Sequence, residues 1–133
     1  MVWINKIISC LQYESQTFFK AISCSNIFLL LKFNAASSEY KLRLDNDIIS
    51  QLYDPESSLV HFISPDSLFS VDLRSFKITS VTPLNFKDLD IRETESIIIE
   101  GEIFFIDFSG GRVFKVSEEG LVRLDKSYNH KMQ

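Results

Sequence analysis

The chain has little of what most catalytic sites are made from. Its 133 residues hold two histidines, His61 and His130, and two cysteines, Cys10 and Cys24. Neither cysteine has the close second Cys or His of a zinc knuckle. They read as buried, reduced thiols of a cytosolic protein. Glycine and proline, 4 and 3 residues, are too few for a linker or a low-complexity segment. An excess of basic residues is also missing, since the net charge is −4. That argues against nucleic-acid binding, which needs a basic face to displace counterions from phosphates. Long apolar runs are absent too. The longest, Ile27 to Leu31, spans five residues, whereas a membrane-spanning helix needs about 20. Lys6 stands inside the N-terminal apolar stretch rather than before it, so no secretory signal is expected. The expected location is cytoplasmic.

Motifs that carry chemistry are equally scarce. No nucleophile elbow, P-loop, HExxH or dinucleotide fingerprint occurs. Asp45-Asn46-Asp47 opens like a calcium loop and Glu56 stands at its twelfth position. Ser50 replaces the glycine needed at the sixth, and Ile48, Ile49 and Leu52 remove oxygen ligands. His61 sits within Val60-His-Phe-Ile63, either wet or satisfied in a core, and His130 lies in a polar tail. Ser109-Gly110-Gly111-Arg112 is followed by no helix, so it reads as a hairpin turn and not a phosphate loop. Glu100-Gly101 is a tight turn or a bulge. The expectation is a protein that is not an enzyme and uses neither metal nor cofactor.

What the chain does have is phenylalanine, 12 residues of it, within a 45% apolar share. Phenylalanine favours pleated, half-buried surfaces. The clearest stretch runs from Ser96 to Leu124, four apolar runs separated by short turns that hold glycine. An antiparallel β-meander over 96–125 follows. Residues 17–82 form a first β block, with strands near Thr17–Ser23, Ile27–Asn34, Glu39–Asp45, Leu59–Ser64, Leu68–Leu73 and Phe76–Val81. Ile48–Tyr53 fits a helical turn or a short strand. Ile4, Ile7, Ile8 and Leu11 keep helical spacing, which predicts a short helix over 1–13. The tail is 126–133. The fold class is mainly β: antiparallel meanders in one domain of about 8–10 strands, forming a sheet, a sandwich or a blade-like stack. Residues 60–81 and 103–124 echo one another at an offset of 43 to 44 residues, within the spacing of propeller blades. Duplicated meanders in one sheet or sandwich are the preferred reading. The chain has room for at most three blades, fewer than a closed propeller needs.

The charge is local. From Asp88 to Asp107 stand Asp88, Asp90, Glu93, Glu95, Glu100, Glu102 and Asp107 against Arg92 alone, a net −6, so the remainder carries +2. Such acids can be a solvated rim that deters edge pairing, or a face for a basic partner. These seven residues are the candidate partner-binding site. A small acidic β-protein with this profile resembles the bacterial immunity proteins, which neutralise basic nuclease-type toxins by covering their active sites. That resemblance implies a protein-binding inhibitor whose partner is a basic, toxin-like protein, with no nucleic acid and no membrane. The alternative is a structural or oligomeric subunit that buries aromatic surface, including Trp3, Tyr13, Phe18, Phe19 and Phe33, against another chain.

Overall fold

The structure is a computed structural model that describes residues 6–14, 17–24, 27–33 and 39–124. Among the described residues, twelve strands form three separate four-stranded antiparallel sheets, each with its strands in sequence order. Sheet A holds β1 (Lys6–Glu14), β2 (Thr17–Cys24), β3 (Ile27–Phe33) and β4 (Glu39–Leu44). Sheet B holds β5 (Ser50–Asp54), β6 (Leu59–Ile63), β7 (Ser67–Asp72) and β8 (Lys77–Pro83). Sheet C holds β9 (Glu95–Ile99), β10 (Glu102–Asp107), β11 (Arg112–Ser117) and β12 (Gly120–Arg123). The fold is mainly β, as the composition implies. No helix among the described residues is long and apolar enough to cross a membrane. The chain divides into two compact units, Met1–Ile48 and Ile49–Gln133.

The helix expected over 1–13 is not there. Residues 6–14 are β1, paired with β2 from Lys6↔Ser23 to Glu14↔Thr17, and residues 1–5 lie outside the described set. Two register shifts, at Ile7/Ser9 and Gln12/Glu14, explain the misreading. Each bulge inserts a residue and breaks the period-2 alternation, so the isoleucines fall by coincidence on helical spacing. In sheet A, Phe19, Ala21, Phe28, Leu30 and Leu44 are buried. Cross-strand pairing sets Ala21 beside Leu30 and Leu30 beside Leu42, so these residues share one face. The turn expected at Ser25-Asn26 lies outside the described residues.

The second unit is built from sheets B and C. Ile63 and Leu68 of sheet B join Ile103, Phe105 and Phe114 of sheet C in one core. Phe105 and Phe114 are fully buried, and each such side chain stabilises the packing by about 1.5–3 kcal/mol. The sheets stack in parallel order, with β5 beside β9 and β8 beside β12. Two separate four-stranded meanders packed over one core lie within the mainly β class expected from the sequence. The connection from β8 to β9 crosses between the sheets and adds Leu84 and Ile91 to the core. Its single 3-10 turn, Ile91–Glu93, is capped by Asp90, whose carboxylate accepts from the Arg92 amide. Phe86 lays its ring edge on Phe114 at 4.7 Å.

Three hairpins close with one device. Asp54, Asp72 and Asp107 each end a strand, and each carboxylate accepts a backbone N–H two or three residues on: Glu56, Arg74 and Gly110. Four residues after each aspartate the chain takes positive φ, at Ser58 (59°), Phe76 (55°) and Gly111 (64°). Asx bonding followed by one left-handed residue reverses the strand in a four-residue loop. Glu100 (52°) and Gly101 (81°) instead form a two-residue turn between Ile99 and Glu102. Two positive φ values in a row match the type I′ hairpin, so this is the tight turn and not a bulge.

Candidate functional site

Sheet C has one covered face and one open face, and β-strand alternation decides which residue goes where. Ile98, Ile103, Phe105, Phe114 and Val116 point into the core. The opposite face carries Glu95, Ile97 and Ile99 from β9 and Glu102, Phe104 and Ile106 from β10. Register joins Ile97, Phe104, Lys115 and Val122 in one row across all four strands. Ile97, Ile99 and Val122 are 37%, 52% and 47% exposed. Large aliphatic groups left wet in a contiguous row are what an interaction surface requires.

The seven acids divide between this face and other places. Glu95 and Glu102 lie on the open face, and both are exposed. Glu100 tops the turn that joins β9 to β10. Glu93 is exposed on the 3-10 turn just before β9. Asp90 caps that turn, and its carboxylate also takes the Arg92 guanidinium at 3.4 Å. Asp88 is exposed with φ of 63°, and its carbonyl accepts from Arg112 Nη2 at 2.8 Å. Lys115 partly offsets Glu102 through an exposed ion pair at 2.8 Å, which contributes about 0–1 kcal/mol.

Asp107 is a different kind of residue. It is buried on the core side and pairs with Arg112 Nε at 2.8 Å. Ser109 Oγ and the Gly110 N–H also donate to it. The Arg112 hydrogen bond, then those from Gly110 and Ser109, hold its carboxyl below the usual range against the opposing effect of burial. This carboxylate locks the β10–β11 hairpin and points away from the open face.

His61 lies on the face of sheet B turned toward sheet C. It is buried, with Nδ1 2.7 Å from Ser70 Oγ on the neighbouring strand. Burial lowers its pKa, and the charge of Asp54 offsets part of that. A cavity of about 380 Å³ runs from this pair past Thr82 to Ile103 and Val116. The hydroxyl–imidazole pair satisfies two polar groups inside the sheet packing.

Of the aromatic residues named for an interface, Phe19 is buried and Phe33 half-buried. Tyr13 and Phe18 lie on β1 and β2, and Trp3 is outside the described residues. Ile97, Ile99 and Val122 of sheet C, not singled out from sequence, are more exposed than Phe19 and Phe33. The signal for this face was present in Glu95-Ser-Ile-Ile-Ile99 and Ile103-Phe-Phe-Ile106, where both strand faces are apolar though one must stay wet. No group of His, Cys, Asp or Glu among the described residues could hold a metal ion. No protein-family model and no curated protein matches the chain.

Proposed function

We propose that this chain is a non-catalytic protein-binding module whose docking surface is the open face of sheet C. The observation that carries this reading is the row Ile97–Phe104–Lys115–Val122, exposed at Ile97 and Val122 and half-buried between them, flanked by Glu95, Glu100 and Glu102. Apolar groups at the centre supply binding energy when water leaves. Carboxylates at the rim speed association with a basic surface and reject acidic ones. The partner class is therefore a protein with a basic, partly apolar patch. Neutralising a basic nuclease-type toxin, as immunity proteins do, is one role such a face serves. The second reading is a subunit that buries the same strip against another chain. It is favoured by the half-exposed state of Ile99 and Val122.

The test is calorimetric titration of the chain with the product of the neighbouring gene, where that product is a basic protein, at low and high salt. Binding should weaken as salt rises. Glu95→Lys and Glu100→Lys, both at exposed positions, should weaken it further. No binding to that protein at low salt, together with a monomeric chain, overturns the reading.

A further inference from the structure

The packing between sheets B and C is not apolar throughout. Cross-strand register places His61, Ser70 and Ser80 in one row of sheet B, and Thr82 beside Leu68 in the next. Both rows lie on the face that meets sheet C, because Leu52, opposite His61, and Leu68 belong to the shared core. The four polar side chains line the cavity of about 380 Å³ whose other wall includes Ile103 and Val116 of sheet C. A few convergent polar groups facing an apolar wall, in a volume of this order, is the form that small-molecule sites take.

Three groups on the sheet B wall keep hydrogen-bonding capacity. His61 and Thr82 are only 6% and 8% exposed. Ser70 Oγ takes His61 Nδ1 at 2.7 Å, which leaves Nε2 without a partner among the described residues. Thr82 Oγ1 and the exposed Ser80 Oγ are likewise unpartnered there. No side-chain nitrogen or oxygen sealed inside the described residues lacks a partner, so Nε2 and Oγ1 reach the cavity and not packed core. Burial lowers the His61 pKa, with Asp54 offsetting part of the effect. At neutral pH the ring is therefore uncharged, with one N–H to donate and one lone pair to accept.

The mouth sets the charge of the ligand. Lys115 is held by Glu102 at 2.8 Å, and Glu118 stands exposed beside them. No lining cation is left over, so a phosphate or carboxylate finds no partner and meets a net negative rim. No aromatic ring is among the lining residues, so a planar base has nothing to stack on. A pyranose ring fits both walls: its hydroxyls meet His61, Ser80 and Thr82, and its C–H face lies on Ile103 and Val116. We propose that the cavity between sheets B and C is a binding site for a neutral monosaccharide, held by His61, Ser80 and Thr82. It stands apart from the protein-binding reading, which uses the opposite face of sheet C.

The test is NMR of the full chain titrated with glucose, galactose and mannose, reading saturation transfer to the sugar and the imidazole nitrogens of His61. A ligand of this size binds in the low millimolar range. At least one of the three should bind there and shift the His61 Nε2 resonance. The phosphorylated form of that sugar should bind at least about tenfold more weakly. Thr82→Val keeps the shape and removes the hydroxyl, and should weaken binding by about fivefold. Ser80→Ala, at an exposed position, covers the case in which Thr82→Val does not fold, and should weaken binding as well. No binding of the three sugars at that level overturns the proposal and leaves the cavity to water. Binding that leaves His61 Nε2 unmoved, or that is unchanged in a variant that folds, overturns it too. So does tighter binding of the phosphorylated sugar.

Discussion

Replacing Phe114 by alanine should remove much of the stability of the second unit. The ring is fully buried in the core shared by sheets B and C. It takes the edge of Phe86 at 4.7 Å and an interplanar angle of 65°, and the Arg112 guanidinium lies 5.5 Å from its centre. Truncating such a residue costs about 3–5 kcal/mol, transfer plus cavity. At about 0.05–0.15 kcal/mol per residue, a unit spanning Ile49–Gln133 holds about 4–13 kcal/mol in all. The loss is therefore a large fraction of the total. With a urea slope of about 1–2 kcal/mol per molar, the midpoint should fall by about 1.5–5 M. The assay is urea unfolding of the full chain followed by circular dichroism. A double-mutant cycle with Phe86→Leu and Phe114→Leu isolates the ring contact, which should couple by about 0.5–1.5 kcal/mol. Val81→Ala, 56% exposed on β8 and away from that face, serves as the control and should stay within about 0.5 kcal/mol. A Phe114→Ala loss no larger than that of the control would refute the two-sheet core.

The other predictions concern the turn, the buried histidine and the locked carboxylate. Gly111→Ala should cost about 1 kcal/mol by chemical denaturation, because φ is 64° and nothing lies within 4 Å of an added Cβ; a neutral result would mean that the turn relaxes without strain. His61 has a lowered pKa in the fold, so its contribution is fully present above the ordinary value of 6.5 and falls as pH drops below it. Melting temperatures should therefore decline below that pH in the wild type and less in His61→Gln; parallel pH profiles would contradict the burial of this ring. Asp107, also lowered, contributes stability that is lost only below the ordinary aspartate range, near about pH 4. Arg112→Met should raise the onset of acid unfolding, and an unchanged onset would remove the hairpin lock from the account.

The legibility of this chain in its sequence follows the reach of the interactions involved. Local alternation in Glu102–Asp107 and Arg112–Ser117, with turn residues between, made sheet C readable. Bulges hid β1, because they shift side-chain parity within a strand. The division into separate sheets was not readable, since hydrogen bonding between distant segments decides it. The candidate site was half readable. Counting charge along the chain mixed the two faces of one strand, so Asp107 was grouped with Glu102. Parity separates them: Asp107 points with Ile103 and Phe105, Glu102 with Phe104 and Ile106. The same parity argument exposes the apolar row. Ser70, the partner of His61, was out of reach because their contact depends on the β6–β7 register.

The claim that the open face of sheet C is the docking surface is tested most directly by isoleucine-methyl NMR of the full chain. Spectra would be compared at low and high protein concentration and with the basic partner added. The account predicts that the Ile97 and Ile99 methyls shift or broaden while those of Ile63 and Ile103, in the core, stay in place. Changes confined to Ile78, exposed on β8 of sheet B, would place the interaction elsewhere and contradict it.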